Sequence, residues 1–173
     1  MAFAGEYFRE RYGPKITSQA PPLRTLLESG IPLGAGTDAT RVSSHNPWLS
    51  LYWMVSGKTV GSTELYPKSQ RLSRLEALEL FTRGSAWLSG EETDKGQLKP
   101  GMYADLTVLS KDYFEVPEEE IRSIESVLTV VDGKPVYGAG PYAKLTPPLP
   151  KPLPEWSPVT RFGGYYANDS ESK

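Results

Sequence analysis

The spacing of apolar residues predicts two short helices and a buried strand early in the chain. Residues 2–13 place aromatic side chains at helix-like intervals, and Gly13-Pro14 supplies a stop signal. Residues 23–29 predict a second helix, which Gly30 ends with the left-handed conformation that helices favour there. Residues 31–36 then predict a brief apolar strand. This succession is the α-to-β half of a parallel unit, yet the sequence offers no second parallel strand to pair with it.

A third helix is predicted by a capping signal after the loop-rich residues 39–70. Ser73 is followed three residues later by Glu76, a capping box that satisfies two N–H groups at a helix start. The predicted apolar stripe of this helix comprises Leu75, Leu78 and Phe81. Gly84 interrupts the helix, and a further helical turn follows it.

The pattern changes from helical to strand-like beyond Gly96. Residues 104–109 alternate apolar and polar side chains, which predicts a half-buried strand. Asp132-Gly133 separates two apolar runs and is a strong hairpin signal. We therefore expect a small antiparallel sheet. A proline-rich tail follows, in which residues 147–154 fit either a polyproline ligand for an SH3-type groove or, more commonly, a stiff strap over the protein itself.

Composition narrows the functional classes. The formal charge of −2 leaves no basic footprint for nucleic acid. The absence of cysteine excludes disulfides and thiolate metal sites. No basic N-terminal region precedes an apolar stretch, and no apolar run approaches the roughly 20 residues that span a bilayer. We expect a cytoplasmic protein without nucleic-acid or membrane partners.

The most informative candidate is Asp38, which follows the predicted strand among small residues. A catalytic aspartate is presented in this way at the C-terminal mouth of a β/α barrel. The alternative is an aspartate that caps a turn after a strand. A barrel needs eight strand–helix units, whereas about 30 residues precede this one. The chain also has a single histidine, too few ligands for the metal site that such an aspartate serves.

Several motifs in order resemble amidohydrolase family 3 of the amidohydrolase superfamily. Residues 36–39 read GTDA, and Glu76-Ala77-Leu78 is followed by Thr82. Residues 95–109 read KG-x-L-x-PG-x-x-ADL-x-VL, and residues 130–134 read V-x-DGK. The resemblance covers roughly residues 9–136. The two long C-terminal motifs carry it, since GTDA alone is weak.

The resemblance implies an α/β fold: the C-terminal part of a TIM-type barrel, whose eighth strand carries Asp38, and part of an antiparallel β-sandwich. It also implies a divalent metal, zinc, in the full-length enzyme, where Asp38 receives a proton from metal-bound water and passes it to the leaving group. The family's metal-binding histidines and mid-barrel lysine or acidic residue have no counterpart in this chain. Asp38 is therefore the single catalytic or metal-centre candidate, and only within an intact enzyme. No cofactor is expected for the chain alone.

Residues just after the predicted strand are candidate substrate contacts. These are Arg41, His45 and Asn46. The family motif does not extend to them, and the alternative for His45 is a loop histidine that is simply exposed. Three aromatic residues, Trp48, Tyr52 and Trp53, are expected to pack in the core rather than line a pocket.

The sequence thus predicts three parts: residues 1–94 from the barrel, 95–140 from the sandwich, and 141–173 as the tail. In one hypothesis the chain is a C-terminal fragment, or one subunit of a split enzyme, that is inactive alone. The complete enzyme would hydrolyse an amide-type C–N bond of a small molecule, and its N-terminal half would be a partner. In the other hypothesis the chain is a non-catalytic binding or structural module. The unpaired strand leads us to expect self-association.

Overall fold

The computed structural model describes residues 1–39, 43–148, 155 and 157. Within these residues, five α-helices precede an antiparallel sheet: α1 Gly5–Thr17, α2 Leu23–Glu28, α3 Pro47–Ser56, α4 Arg74–Glu79 and α5 Ser85–Leu88. A single widened π-type turn, Leu80–Gly84, joins α4 to α5. The strands are β1 Leu106–Leu109, β2 Ser126–Val131 and β3 Lys134–Gly138. Short 3₁₀ turns span Lys68–Gln70, Glu118–Ser123 and Gly140–Leu145. Helical and strand segments are both present, as expected for an α/β chain.

Glycines end or bend the first two helices as the sequence predicts. Gly13 has φ 79° and interrupts α1, after which Pro14 opens a last short turn. Gly30 has φ 72° just past the end of α2. Both residues adopt the left-handed region that glycine enters without steric cost.

The predicted strand at residues 31–36 is wrong. These residues lie in an irregular segment, which we call the Asp38 segment (residues 31–38), and no β-ladder includes them. Strand geometry is maintained by hydrogen bonds to a neighbour, and the described part of the chain provides no parallel strand beside this segment.

The capping box of α4 is confirmed, but the predicted apolar stripe is wrong in part. The Ser73 hydroxyl accepts the Glu76 N–H, and the Glu76 carboxylate accepts the Ser73 N–H at 2.7 Å. Leu75 is 57% exposed, whereas Ala77 and Leu80 are buried. At 3.6 residues per turn, Leu75 lies about 200° around the helix from Ala77, so the two cannot face the same core.

The three strands form one sheet in the order β1-β2-β3, with both pairs antiparallel. Asp132 and Gly133 have φ values of 51° and 71°, which is the signature of the tight hairpin predicted from their sequence. The Thr146 hydroxyl then bonds the backbone N–H and carbonyl of Gly138, so the following turn is fixed to the end of β3. The strands of the sheet and the turn after it are thus held together by contacts between neighbouring segments of the chain. Apart from residues 155 and 157, the predicted tail beyond residue 148 lies outside the described residues.

The hydrophobic core joins the helices to the loops that flank the sheet. From α3 come Trp48, Leu51, Tyr52 and Trp53, and they pack with Tyr113, Ile121 and Ile124 from beyond β1. The prediction that the three α3 aromatics are core residues is confirmed, since each is less than 9% exposed. This core contains side chains from both sides of residue 95. None of the described helices has the length and apolar character needed to cross a bilayer.

Candidate functional site

Asp38 lies at the end of the Asp38 segment with its residue exposed and its backbone in the left-handed region, at φ 53°. Aspartate is among the few residues other than glycine that adopt this region readily. Directly after it, the Ala39 N–H donates to the Thr37 hydroxyl at 3.3 Å, and Ala39 pairs with Ser43 in an isolated parallel bridge. A sharp turn thus presents the Asp38 carboxyl to solvent. Arg41, the first predicted substrate contact, lies outside the described residues.

The other two predicted substrate contacts have different surroundings. His45 is exposed, and Asn46 is partly buried. The Asn46 side-chain carbonyl accepts the Trp48 N–H at 3.0 Å, which makes Asn46 the N-cap of α3. This capping role is one that our sequence reasoning missed, although asparagine followed by proline is typical of a helix start. The structure does not test whether these residues also contact a substrate.

The widened turn between α4 and α5 binds the Asp38 segment at Ala35. The Ala35 N–H donates to the Leu80 carbonyl at 2.9 Å, in the widened turn. The Ser85 hydroxyl lies 2.9 Å from both the Ala35 carbonyl and the Leu80 carbonyl. Gly84 was predicted only to interrupt the helix, and no role was predicted for Ser85. A glycine inside a helical pattern can signal a close backbone approach, which is what occurs here.

An ion pair connects α2, the helix that precedes the Asp38 segment, to α4. The Arg24 guanidinium of α2 binds both carboxylate oxygens of Glu76, at 2.7 and 2.9 Å, and also donates to the Arg71 carbonyl at 2.8 Å. The hydrogen bonds from Arg24, with those of Ser73, lower the pKa of Glu76 to about 2. The same pairing raises the pKa of Arg24. Glu76, which also belongs to the capping box, thus ties α2 to the start of α4.

The metal implied by the family resemblance does not fit the described residues. They contain no cluster of three histidine, cysteine or acidic side chains that could hold an ion. The full sequence supplies one histidine and no cysteine. Because a catalytic zinc site usually takes three protein ligands, the donor set here is incomplete.

Among the cavities formed by the described residues, three lie away from the predicted site. One, of about 830 Å³, runs between the α4–α5 region and strands β1 and β2, and its lining is mainly apolar. A cleft of about 480 Å³ lies between residues 30–33 and α4–α5, and a third, of about 590 Å³, lies beside α1. None of the three is lined by Asp38, His45 or Asn46.

Comparison with known proteins places these motifs in context. "Putative amidohydrolase YtcJ" of Bacillus subtilis (strain 168) is 32% identical over 130 residues, which are 74% of this chain and 24% of that protein. "N-substituted formamide deformylase" of Arthrobacter pascens is 27% identical over 112 residues, 65% of this chain and 20% of that protein. The chain thus spans between a fifth and a quarter of the length of these relatives.

A solved structure and a family model were also matched. The crystal structure of an amidohydrolase from Thermotoga maritima MSB8 aligns with a TM-score of 0.37 and 18% identity, over 80% of this chain and 42% of that one. A likeness of that size carries no argument about fold or function. The amidohydrolase family model, in contrast, matches residues 1–137, which include Asp38, the capping box and the hairpin. On that match the chain belongs to amidohydrolase family 3.

Proposed function

We propose that this chain contributes the carboxylate of Asp38 to the active site of a metal-dependent amidohydrolase that cleaves an amide-type C–N bond. Family membership over residues 1–137 supports the hydrolase class. The observation that carries the assignment to Asp38 is its position: an exposed carboxyl at a sharp turn, three residues beyond a backbone position held by two hydrogen bonds. A group that transfers protons must be both accessible and held in place.

The chemistry assigned to Asp38 is general base and general acid catalysis. In hydrolysis, a water oxygen forms a bond to the carbonyl carbon while a proton leaves that water, and the Asp38 carboxylate receives the proton. When the C–N bond breaks, the Asp38 carboxyl transfers that proton to the leaving nitrogen. Water is consumed, an acid and an amine are released, and Asp38 is regenerated. The metal would supply Lewis-acid activation in the complete enzyme.

The remaining active-site groups come, in this proposal, from polypeptide outside the present chain. The incomplete donor set supports this, as does the 20–24% share of the relatives that the chain spans. The chain would be the C-terminal part of a barrel and sandwich, either within a longer protein or as one subunit beside an N-terminal half. Alone, it would neither hold zinc stoichiometrically nor hydrolyse a substrate.

The substrate class follows from one relative's name. Because the Arthrobacter protein is an N-substituted formamide deformylase, N-substituted formamides are the first compounds to assay, followed by other small amides.

The test compares Asp38→Asn with a matched variant in the active species purified from its native cells. Asp132→Asn is the control, since Asp132 is also an exposed aspartate with positive φ but lies in the β2–β3 hairpin. Asp38→Asn is expected to lower kcat by roughly 10²–10⁴-fold, and Asp132→Asn to leave it unchanged. Equal kcat for both variants would refute the role of Asp38.

The alternative is a non-catalytic binding or structural module that associates with a second copy. The same incomplete donor set favours it. It predicts a native species made of this chain alone, in one or more copies, without hydrolase activity.

A further inference from the structure

The widened turn between α4 and α5 has a feature that an ordinary helix lacks. A π-type turn contains an extra residue, so that a carbonyl is freed from the regular i to i+4 ladder and can accept a donor from elsewhere. Here the turn spans Leu80–Gly84, and the Leu80 carbonyl accepts the Ala35 N–H at 2.9 Å. Turns of this kind often occur at functional sites. The external donor in this case belongs to the Asp38 segment.

The Ser85 hydroxyl completes a second connection to the same residue. Its oxygen lies 2.9 Å from the Ala35 carbonyl, and 2.9 Å from the Leu80 carbonyl. A hydroxyl has one proton and donates to one of these carbonyls at a time. When it donates to Ala35, both backbone polar groups of Ala35 are bonded to the turn.

Two glycines allow the backbones to come this close. A Cβ on Gly84 would collide with the Leu33 carbonyl oxygen. A Cβ on Gly34 would lie 3.0 Å from the backbone of Gly84 and 2.5 Å from a methyl group of Leu88. Residues Leu33–Ala35 therefore lie directly on the helix, and neither glycine can gain a side chain without displacing the other backbone.

Between Ala35 and the isolated bridge that pairs Ala39 with Ser43, residues 36–38 have few contacts. Gly36 has open space around its Cα and is exposed. No hydrogen bond in the described part of the chain joins residues 36–38 to another helix or strand. On its N-terminal side, Asp38 is therefore positioned by the direction in which the segment leaves Ala35, and on its C-terminal side by the Ala39–Ser43 bridge.

We propose that Ser85 is a positioning residue for Asp38, acting through its hydrogen bond to the Ala35 carbonyl at the widened turn. The proposal rests on the catalytic role proposed for Asp38. Ser85 itself contacts neither substrate nor metal. It fixes the last anchored residue before the catalytic carboxylate, so that the carboxylate is held in one place rather than sampling several.

Amide hydrogen exchange and NMR of the full 173-residue chain test the connection without requiring activity. Ser85→Ala is expected to increase exchange at the Ala35 N–H roughly fivefold, since a hydrogen bond at the adjacent carbonyl is lost. The carboxyl-carbon signal of Asp38 should shift in the same variant. Ser85→Thr keeps the hydroxyl and should restore both. The matched control is Ser89→Ala, because the Ser89 hydroxyl donates to the Ala86 carbonyl three residues back, at 3.0 Å, and also bonds Glu91; neither partner belongs to the Asp38 segment.

Global destabilisation is distinguished by a reference amide in the sheet. If Ser85→Ala merely weakens the fold, exchange at Leu128 of β2 rises as much as exchange at Ala35, and the proposal is overturned. It is also overturned if the Asp38 signal is unchanged, or if the Ala35 amide is unprotected in the unmodified chain. The last measurement decides the question even if Ser85→Ala does not fold.

In the active native species, Ser85→Ala should lower kcat at least tenfold with an unchanged KM, while Ser85→Thr retains most of kcat. An unchanged kcat would contradict positioning. If Asp38→Asn has no effect on turnover, the proposed function fails, but the exchange and NMR measurements still report on the connection between Ser85 and Asp38.

Discussion

Glu76→Gln tests how much the charge of Glu76 contributes to holding α2 on α4. Glutamine keeps the hydrogen bond to the Ser73 N–H that closes the capping box, but it removes the negative charge that pairs with Arg24. A carboxyl pKa lowered from 4.5 to about 2 corresponds to at most about 3 kcal/mol. The Arg24 and Glu76 side chains are 22% and 30% exposed, so solvent screening reduces this contribution to about 1–2 kcal/mol.

The pH dependence has a definite sign. The folded-state pKa of Glu76 is lower than the unfolded-state value, so its contribution is complete above about pH 4.5 and is lost as the pH falls toward 2. Urea unfolding followed by tryptophan fluorescence should therefore show a smaller free energy of unfolding for Glu76→Gln than for the unmodified chain at pH 7. The difference should shrink as the pH falls from 4.5 toward 2.

Glu79→Gln is the matched control. The carboxylate of Glu79 pairs with Arg83 one turn away at 3.5 Å, and both side chains are more than 40% exposed. Such a pair contributes less than about 0.5 kcal/mol. Equal losses for the two variants at pH 7, or a Glu76→Gln loss that is the same at pH 3 and pH 7, would refute the assignment of the stabilisation to the Arg24 pair.

Three further local features are tested by substitution in the same unfolding assay. Gly84→Ala should destabilise the fold by about 1–3 kcal/mol because the new methyl group meets the Leu33 carbonyl. Gly36→Ala is the control, and with open space around it should change the stability by less than about 1 kcal/mol. Equal effects of the two substitutions would contradict the close approach of the Gly84 and Leu33 backbones. Asn46→Ala should cost about 0.5–2 kcal/mol through loss of the α3 cap, and Asn46→Asp should recover most of it; no loss on alanine substitution would rule the cap out as a source of stability. Tyr52→Phe should cost about 1–2 kcal/mol, since the buried hydroxyl donates to the Glu119 carboxylate at 2.7 Å, and an unchanged unfolding midpoint would show that this bond is energetically neutral.

Features encoded by a few neighbouring residues were predicted correctly. The capping box at Ser73 and Glu76, the Asp132-Gly133 hairpin and the glycine after α2 each depend on the backbone preferences of adjacent residues. The surrounding structure has little influence on such signals. These local signals were therefore sufficient to predict the corresponding caps and turn.

Features that depend on distant contacts were predicted less well. The segment at residues 31–36 has the composition of a buried strand, but a strand also needs a neighbour, and the described residues provide none. The face of α4 was misjudged at Leu75 because packing against the core, together with the widened turn, selects Ala77 and Leu80. The contact between Ser85 and Ala35 joins residues 50 positions apart and has no local signature beyond Gly84.

The candidate site shows the same difference between local sequence signals and contacts seen only in the structure. Asp38 was predicted as a candidate because a short motif surrounds it, and the family match extends across that motif. Asn46 was assigned to substrate contact, yet the structure also gives it a capping role that sequence spacing could have revealed. The catalytic role of Asp38 and the substrate contacts of Arg41, His45 and Asn46 stay predictions.

The proposal that the active site is completed by polypeptide outside this chain is tested most directly by the intact mass of the native species, captured through the C-terminal tail of this chain. We expect a species heavier than 19.1 kDa, either one longer chain or a complex with a second polypeptide, and a bound divalent metal. A sole species of 19.1 kDa without a partner chain would contradict the claim that the active site is completed from outside.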